Sequence, residues 1–201
     1  MRINEMFSKN KNHYTGTNPC NYITIHDTGN TSRGANALMH ARYINNGSSV
    51  TWHYTVDNTQ VIQHFPDSVQ CWHAGDGKGK GNTESIGIEM CINPDGNFSK
   101  TVNNAVELVI HLMKKHNIPM NRVVQHNHWS GKNCPNSLRN NRYGITWGQF
   151  LARIESKVKS ENNNSNKLYR VQVGAFKNKD NAVELEKRLN KAGFPTYIKY
   201  D

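Results

Sequence analysis

The chain has no apolar run approaching the roughly 18 residues that a bilayer-crossing helix needs, so no helical membrane span is expected. Its opening residues, Met1 to Asn12, are polar and contain no apolar h-region, so no secretory leader is expected there. The four cysteines, Cys20, Cys71, Cys91 and Cys134, form no C-x-x-C pair. That excludes the usual dithiol redox motif. A chain of 201 residues does not need disulfides for stability, so free thiols are expected, one of them available to a metal. The glycine-rich stretch 75–81 lacks the Lys-Ser or Lys-Thr of a phosphate loop, because Lys80 is followed by Gly81. No Gly-x-Ser-x-Gly elbow occurs, which removes the serine-hydrolase reading. Acidic residues are scarce: 15 Asp and Glu stand against 25 Lys and Arg, for a formal charge of +10. Such a surface favours polyanions, either nucleic acid or a wall carrying phosphate-rich polymers. The basic residues are scattered and no nucleic-acid motif accompanies them, so nucleic acid is not the expected partner.

What is present divides into two parts. Residues 1–158 mix strand-like and helix-like patterns; 159–167 contain no apolar residue and read as a polar linker; 168–201 form a small separate unit. In the first part, Tyr22 to His26 and Ser85 to Cys91 alternate as strands, and Val123 to His126 is a short one. Thr51 to Val56 and Gln60 to Phe65 flank Asp57-Asn58-Thr59 as a hairpin. Apolar spacing predicts helices over 34–45, about 101–116 and 146–158. Strands and helices mix without strict alternation, which points to an α/β domain with a mixed sheet flanked by helices.

The chemistry-bearing candidates are His26, ending a strand, His126, ending another, and Cys134 in the following loop. Two imidazoles and a thiolate suit a catalytic zinc with one open position. Ten histidines are available, however, and their separation in sequence leaves convergence open.

Five blocks occur in order: Ile25-His26-Asp27-Thr28-Gly29, Trp52-His53-Tyr54-Thr55-Val56-Asp57, Trp72-His73-Ala74-Gly75, Ser85-Ile86-Gly87-Ile88-Glu89, and Val124-Gln125-His126 through Lys132-Asn133-Cys134-Pro135. Together they resemble the type-2 N-acetylmuramoyl-L-alanine amidases, a family of phage endolysins and bacterial autolysins related to peptidoglycan recognition proteins. The resemblance covers nearly all of residues 1–158. It implies one zinc in a surface groove, held by His26, His126 and Cys134, with His128 as a poorer-spaced competitor. It implies Glu89 and Lys132 as catalytic residues. It implies Trp52, His53, Trp72 and His73 as substrate-groove residues, with His53 alternatively supporting a ligand from behind and Trp72 alternatively a core aromatic. Some members carry a tyrosine where this chain has Trp52, which shifts the expected proton transfer to Glu89. The implied activity is hydrolysis of the amide between N-acetylmuramic acid and L-alanine in peptidoglycan, by a phage endolysin or, alternatively, a sporulation-stage autolysin. Relatives that have lost a ligand are non-catalytic receptors. The implied store is the producing cell's cytoplasm until release.

The tail reads strand (168–173), helix and strand (196–200), with Asp180 or Asn181 capping the helix and Gly193 ending it. Tyr169 to Phe176, Asn181-Ala182, Leu185, Leu189 and Ala192 to Pro195 resemble half of a SPOR domain, a family that binds glycan strands stripped of their peptides. A half sheet leaves an apolar face exposed, which favours either dimerisation through the tail or its disorder.

Overall fold

The computed structural model describes residues 2–165 and 171–199, with side chains of 162–165 set aside. Two compact units emerge, Met1–Glu161 and Asn162–Asp201.

The first unit is built on a six-stranded mixed sheet. Its strands, in chain order, are β1 (Ile3–Glu5), β3 (Tyr22–Asp27), β4 (Tyr54–Val56), β5 (Val61–Gln63), β7 (Ser85–Met90) and β8 (Val123–Gln125), arranged β1-β5-β4-β7-β3-β8. The β4/β5 pair is antiparallel and the other neighbours are parallel. A side ribbon pairs β2 (His13–Thr17) with β6 (Val69–Cys71). Among the helices, α1 is Ala37–Asn45, α2 Lys80–Thr83, α3 Phe98–His116, α4 Asn127–Ser130, α5 Asn136–Arg139 and α6 Trp147–Ser165.

Period-two alternation in the central strands decides what faces where. Ile23 and Ile25 of β3 and Ile86, Ile88 and Met90 of β7 are fully buried in one core with Val102, Val106 and Val109 of α3 and Phe150 and Ile154 of α6. The intervening residues Thr24, His26, Gly87 and Glu89 therefore share the opposite face, where the site lies. The hairpin turn is held by the Asp57 carboxylate, which accepts hydrogen bonds from the backbone N–H and hydroxyl of Thr59 and from the Gln60 N–H. Asn97 caps α3, accepting from the Lys100 N–H, and Asn117 ends it in the left-handed conformation at φ 55°.

Several expectations move. The third strand near the site stops at Gln125, so His126 begins the next turn rather than ending the strand. The polar stretch from 159 is helical up to Ser165. A polar composition excludes burial, not helicity, and no Gly or Pro interrupts it. Lys157 pairs with Glu107 and Lys114 with Glu161, tying the extension to α3.

In the second unit, α7 (Lys179–Lys191) is capped by Asn178, which accepts from the Asp180 N–H, in place of the expected Asp180 or Asn181. Gly193, at φ 87°, ends it. The strands expected on either side are not formed at 171–173 or 196–199, so the tail's described residues do not make a βαβ unit. Val171 and Val173 are 87% and 57% exposed, and a lone strand pair without a covered face has little to hold it. Leu168 to Arg170 and Tyr200 lie outside the described residues.

Candidate active site

His26 is delivered by β3, in register with Glu89 on β7. His126 follows β8 and is pinned by its backbone N–H to the Ile25 carbonyl, 3.1 Å away. The spacing between His126 and Cys134 is set by a closed loop. Asn127 donates from its backbone to the Cys134 carbonyl (3.0 Å) and from its side chain to the Gly131 and Lys132 carbonyls (2.8 and 3.0 Å). Gly131, at φ 74°, makes the return. Cys134 precedes a cis bond to Pro135. Just beyond, the Ser137 N–H donates to the Asp27 carboxylate at 2.7 Å, locking this loop to the end of β3.

These elements bring one ligand atom each from His26, His126 and Cys134 to within 4.8 Å of one another, all three side chains buried. The two Nδ1 atoms lie 2.9 Å apart, and the Cys134 Sγ lies 3.9 Å from the His26 Nδ1. Glu89 Oε1 is 4.0 Å from the same nitrogen. The Glu89 Oε2 is buried and has no hydrogen-bond partner. His128, the competing ligand, is exposed on α4 and packs edge-on to Trp129, 4.6 Å between ring centroids.

The electrostatics suit a cation. Burial, then the neighbouring His73, His126 and Lys132, hold His26 well below the ordinary imidazole range. Burial and then Lys132 also lower His126. Both rings are therefore neutral, the form that ligates. Burial and the Glu89 charge push the Cys134 thiol up to about 12, so a bound metal is the group that makes it a thiolate near neutral pH. Burial, reinforced by Asp27 and opposed by Lys132, raises Glu89 well above the usual carboxylate range. Two imidazole nitrogens, one thiolate and a partnerless carboxylate oxygen fit zinc with a position left open.

The centre opens into a cavity of about 640 Å³. Lys132 lines it, as do Trp52 and His73. Trp52 is committed: its indole N–H donates to the Thr55 hydroxyl at 2.7 Å. Two of the expected groove residues are not on the wall. His53 is fully buried, accepting the Gly87 N–H at Nδ1 (2.9 Å) and meeting the Val69 carbonyl through Nε2 (2.8 Å). Trp72 packs on Tyr14, 5.3 Å between centroids. Conversely, Met39, His40 and Tyr43 of α1 and Val50 line the cavity and were not anticipated. Met39 and Tyr43 are 47% and 53% exposed, four residues apart and off the helix's buried face. That misfit with the core stripe was the available signal.

A profile of the N-acetylmuramoyl-L-alanine amidase family matches residues 16–137, and a SPOR domain profile matches residues 150–201. The N-acetylmuramoyl-L-alanine amidase CwlH of Bacillus subtilis (strain 168) is 50% identical over 137 residues, covering 67% of this chain and 53% of that protein. The chain thus spans about half the length of this curated relative. The solved catalytic domain of XlyA superimposes with a TM-score of 0.71 at 45% identity, over 77% of this chain and 99% of that one. A mutant endolysin from Bacillus subtilis does so with a TM-score of 0.72 at 43% identity, over 77% and 99%.

Proposed function

From the premise that this chain belongs to the N-acetylmuramoyl-L-alanine amidase family, we propose that it hydrolyses the amide joining the lactyl group of N-acetylmuramic acid to the L-alanine of the stem peptide. The observation that carries the reading is the buried His26, His126 and Cys134 donor set with Glu89 Oε1 4.0 Å from His26. Zinc, when bound, supplies Lewis acidity toward the amide carbonyl, lowers the pKa of water to about 7, and draws Glu89 toward its carboxylate form.

The chain's own groups do the rest. Glu89 takes the proton of the attacking water and delivers it to the departing amine; among the described residues no other carboxylate lines the cavity except Asp27, which is held by Ser137. Lys132, at the rim, places a positive charge where the carbonyl oxygen becomes an oxyanion. Trp52 cannot substitute for a phenolic acid, because it has one N–H and Thr55 takes it. The apolar wall of Met39, Tyr43 and Val50 orients the substrate beside the centre.

The biological setting consistent with this chemistry is lysis by a phage-type endolysin acting on the cell wall. No helix among the described residues is long and apolar enough to cross a membrane. The tail serves as an accessory that holds glycan strands stripped of peptide, the product of the same reaction. Its exposed Val171, Val173, Phe176 and Phe194 are the apolar side chains that a second copy would cover. The test is product chemistry. Mass spectrometry of digested purified walls should show intact stem peptides with free L-alanine amino termini and no new reducing sugar ends. New reducing ends, or cleavage within the peptide, would defeat the reading.

A further inference from the structure

His73 lines the cavity, yet its ring Nδ1 meets the ring of His26, a proposed metal ligand. The His26 ring has its Nδ1 among the other ligand atoms, and its Nε2 lies 3.0 Å from the Nδ1 of His73. A neutral imidazole has one proton for two nitrogens. For Nδ1 to offer a lone pair, the proton must sit on Nε2. His26 is 1% exposed, so that N–H cannot turn to solvent and needs a protein acceptor.

We infer that His73 is a positioning residue: the lone pair on its Nδ1 accepts the Nε2–H of His26 and fixes His26 in the tautomer whose Nδ1 is free to bind metal. The same assignment puts the proton of neutral His73 on its Nε2, which is buried with no hydrogen-bond partner among the described residues, so an unmet donor there is the cost of holding His26. This role behind the metal adds to the place of His73 on the cavity wall.

The surroundings are shaped to hold this ring. The backbone N–H groups of His73 and Ala74 both donate to the Asn82 side-chain oxygen, at 2.8 Å each. Gly87 leaves the room: a Cβ there would stand 2.8 Å from the Cγ, Cδ2 and Nδ1 of His73, inside van der Waals contact. This accounts for a glycine in the middle of a central strand, where it otherwise weakens the element. Beneath His73, edge-on at 5.9 Å, lies His53, whose own tautomer is set by the Gly87 N–H into its Nδ1. His53 thus packs the positioning ring from below without touching the cavity.

The inference rests on the proposed zinc site, and the test separates the two. In metal-free protein, nitrogen-15 NMR of the imidazoles should find His26 protonated at Nε2. Competition against a chromophoric chelator then gives zinc affinity for the native chain, His73→Phe, His73→Asn and Gly87→Ala. His73→Phe keeps an aromatic ring, somewhat larger than the imidazole, but removes the acceptor, and Gly87→Ala displaces the ring. Both should weaken zinc binding by about 10–100-fold and give mixed His26 tautomers. His73→Asn, which retains an acceptor oxygen, should recover part of the loss. A native His26 protonated at Nδ1 overturns the inference and requires no variant. So does a folded His73→Phe with native tautomer and zinc affinity within twofold. If the native chain takes up no zinc, the proposed function fails, while the tautomer result still decides the role of His73.

Discussion

Glu89 and Cys134 show how burial sets chemistry at single residues. Burial disfavours charge on both, one pushed well above its usual range and the other up to about 12. Their ionised forms depend on a cation beside them. Glu89→Gln preserves the shape and removes the base. It is expected to lower kcat by about 10²–10⁴-fold while zinc content, read by atomic absorption, stays at the native level. Lys132→Met should lower kcat by about 10²–10³-fold if the charge stabilises the oxyanion, with substrate KM changing less. Steady-state kinetics on a soluble muropeptide separates the two parameters. On the cavity wall, Tyr43→Ala should instead raise KM, because the exposed ring touches no ligand atom and only orients the substrate. The candidate metal donors could be named in the sequence only through the order of five sequence blocks. With ten histidines in the chain, no local pattern singles out the pair that converges.

At the scale of elements, the long strands and α3 were legible because their apolar periodicity is sustained and their faces are covered. The outer strands β1, β2 and β6 were not, since their residues are mostly half-buried or exposed and carry no sustained apolar face to mark them as strand. The loop from Asn127 to Cys134 is the element on which the site most depends. Asn127→Ala removes two side-chain donations to its carbonyls and should loosen the His126–Cys134 spacing. The expected result is weaker zinc binding with little loss of thermal stability, read by chelator competition and calorimetry. A different element junction governs acid stability. Asp67 joins the turn before β6 to the end of α3, accepting from Tyr54 (2.5 Å), Lys115 (2.7 Å) and His116 (2.8 Å). Burial pushes its carboxyl up, but the hydrogen bonds from Lys115, Tyr54 and His116 outweigh it and leave it below the usual range. The folded pKa is thus lower than the unfolded one. The resulting stability is fully present above about pH 4, the unfolded value, and is lost as pH falls through the folded value. Asp67→Asn should cost about 1–3 kcal/mol at pH 7, with the difference from native shrinking in acid. Urea melts at pH 7 and pH 3 check it.

The whole molecule pairs an enzyme-like unit with a small tail, and the two were not equally legible. In the unit Met1–Glu161 the apolar faces of the central strands are covered by α3 and α6, so pattern and fold agree there. The tail's alternation at Val171 and Val173 promised a strand that the described residues do not form, because strand patterning needs a partner sheet to be realised. The polar stretch that read as a linker is helical as far as Ser165, since composition reports exposure more directly than backbone conformation. The charge of +10 also acts at this scale. Sedimentation with intact walls should show binding that weakens as salt rises toward about 1 M, where the screening length is about 3 Å. Binding unaffected by salt would place recognition elsewhere than in the charge.

The central claim is that His26, His126 and Cys134 hold the zinc on which amide hydrolysis depends. Titrating zinc into chelator-stripped protein on purified walls, and counting new L-alanine amino termini, addresses it in one measurement. Activity should be absent at the start, rise linearly and level off at one equivalent of zinc, and Cys134→Ala should show no such rise. Full release of L-alanine termini by the stripped protein, or by Cys134→Ala without added metal, would contradict it.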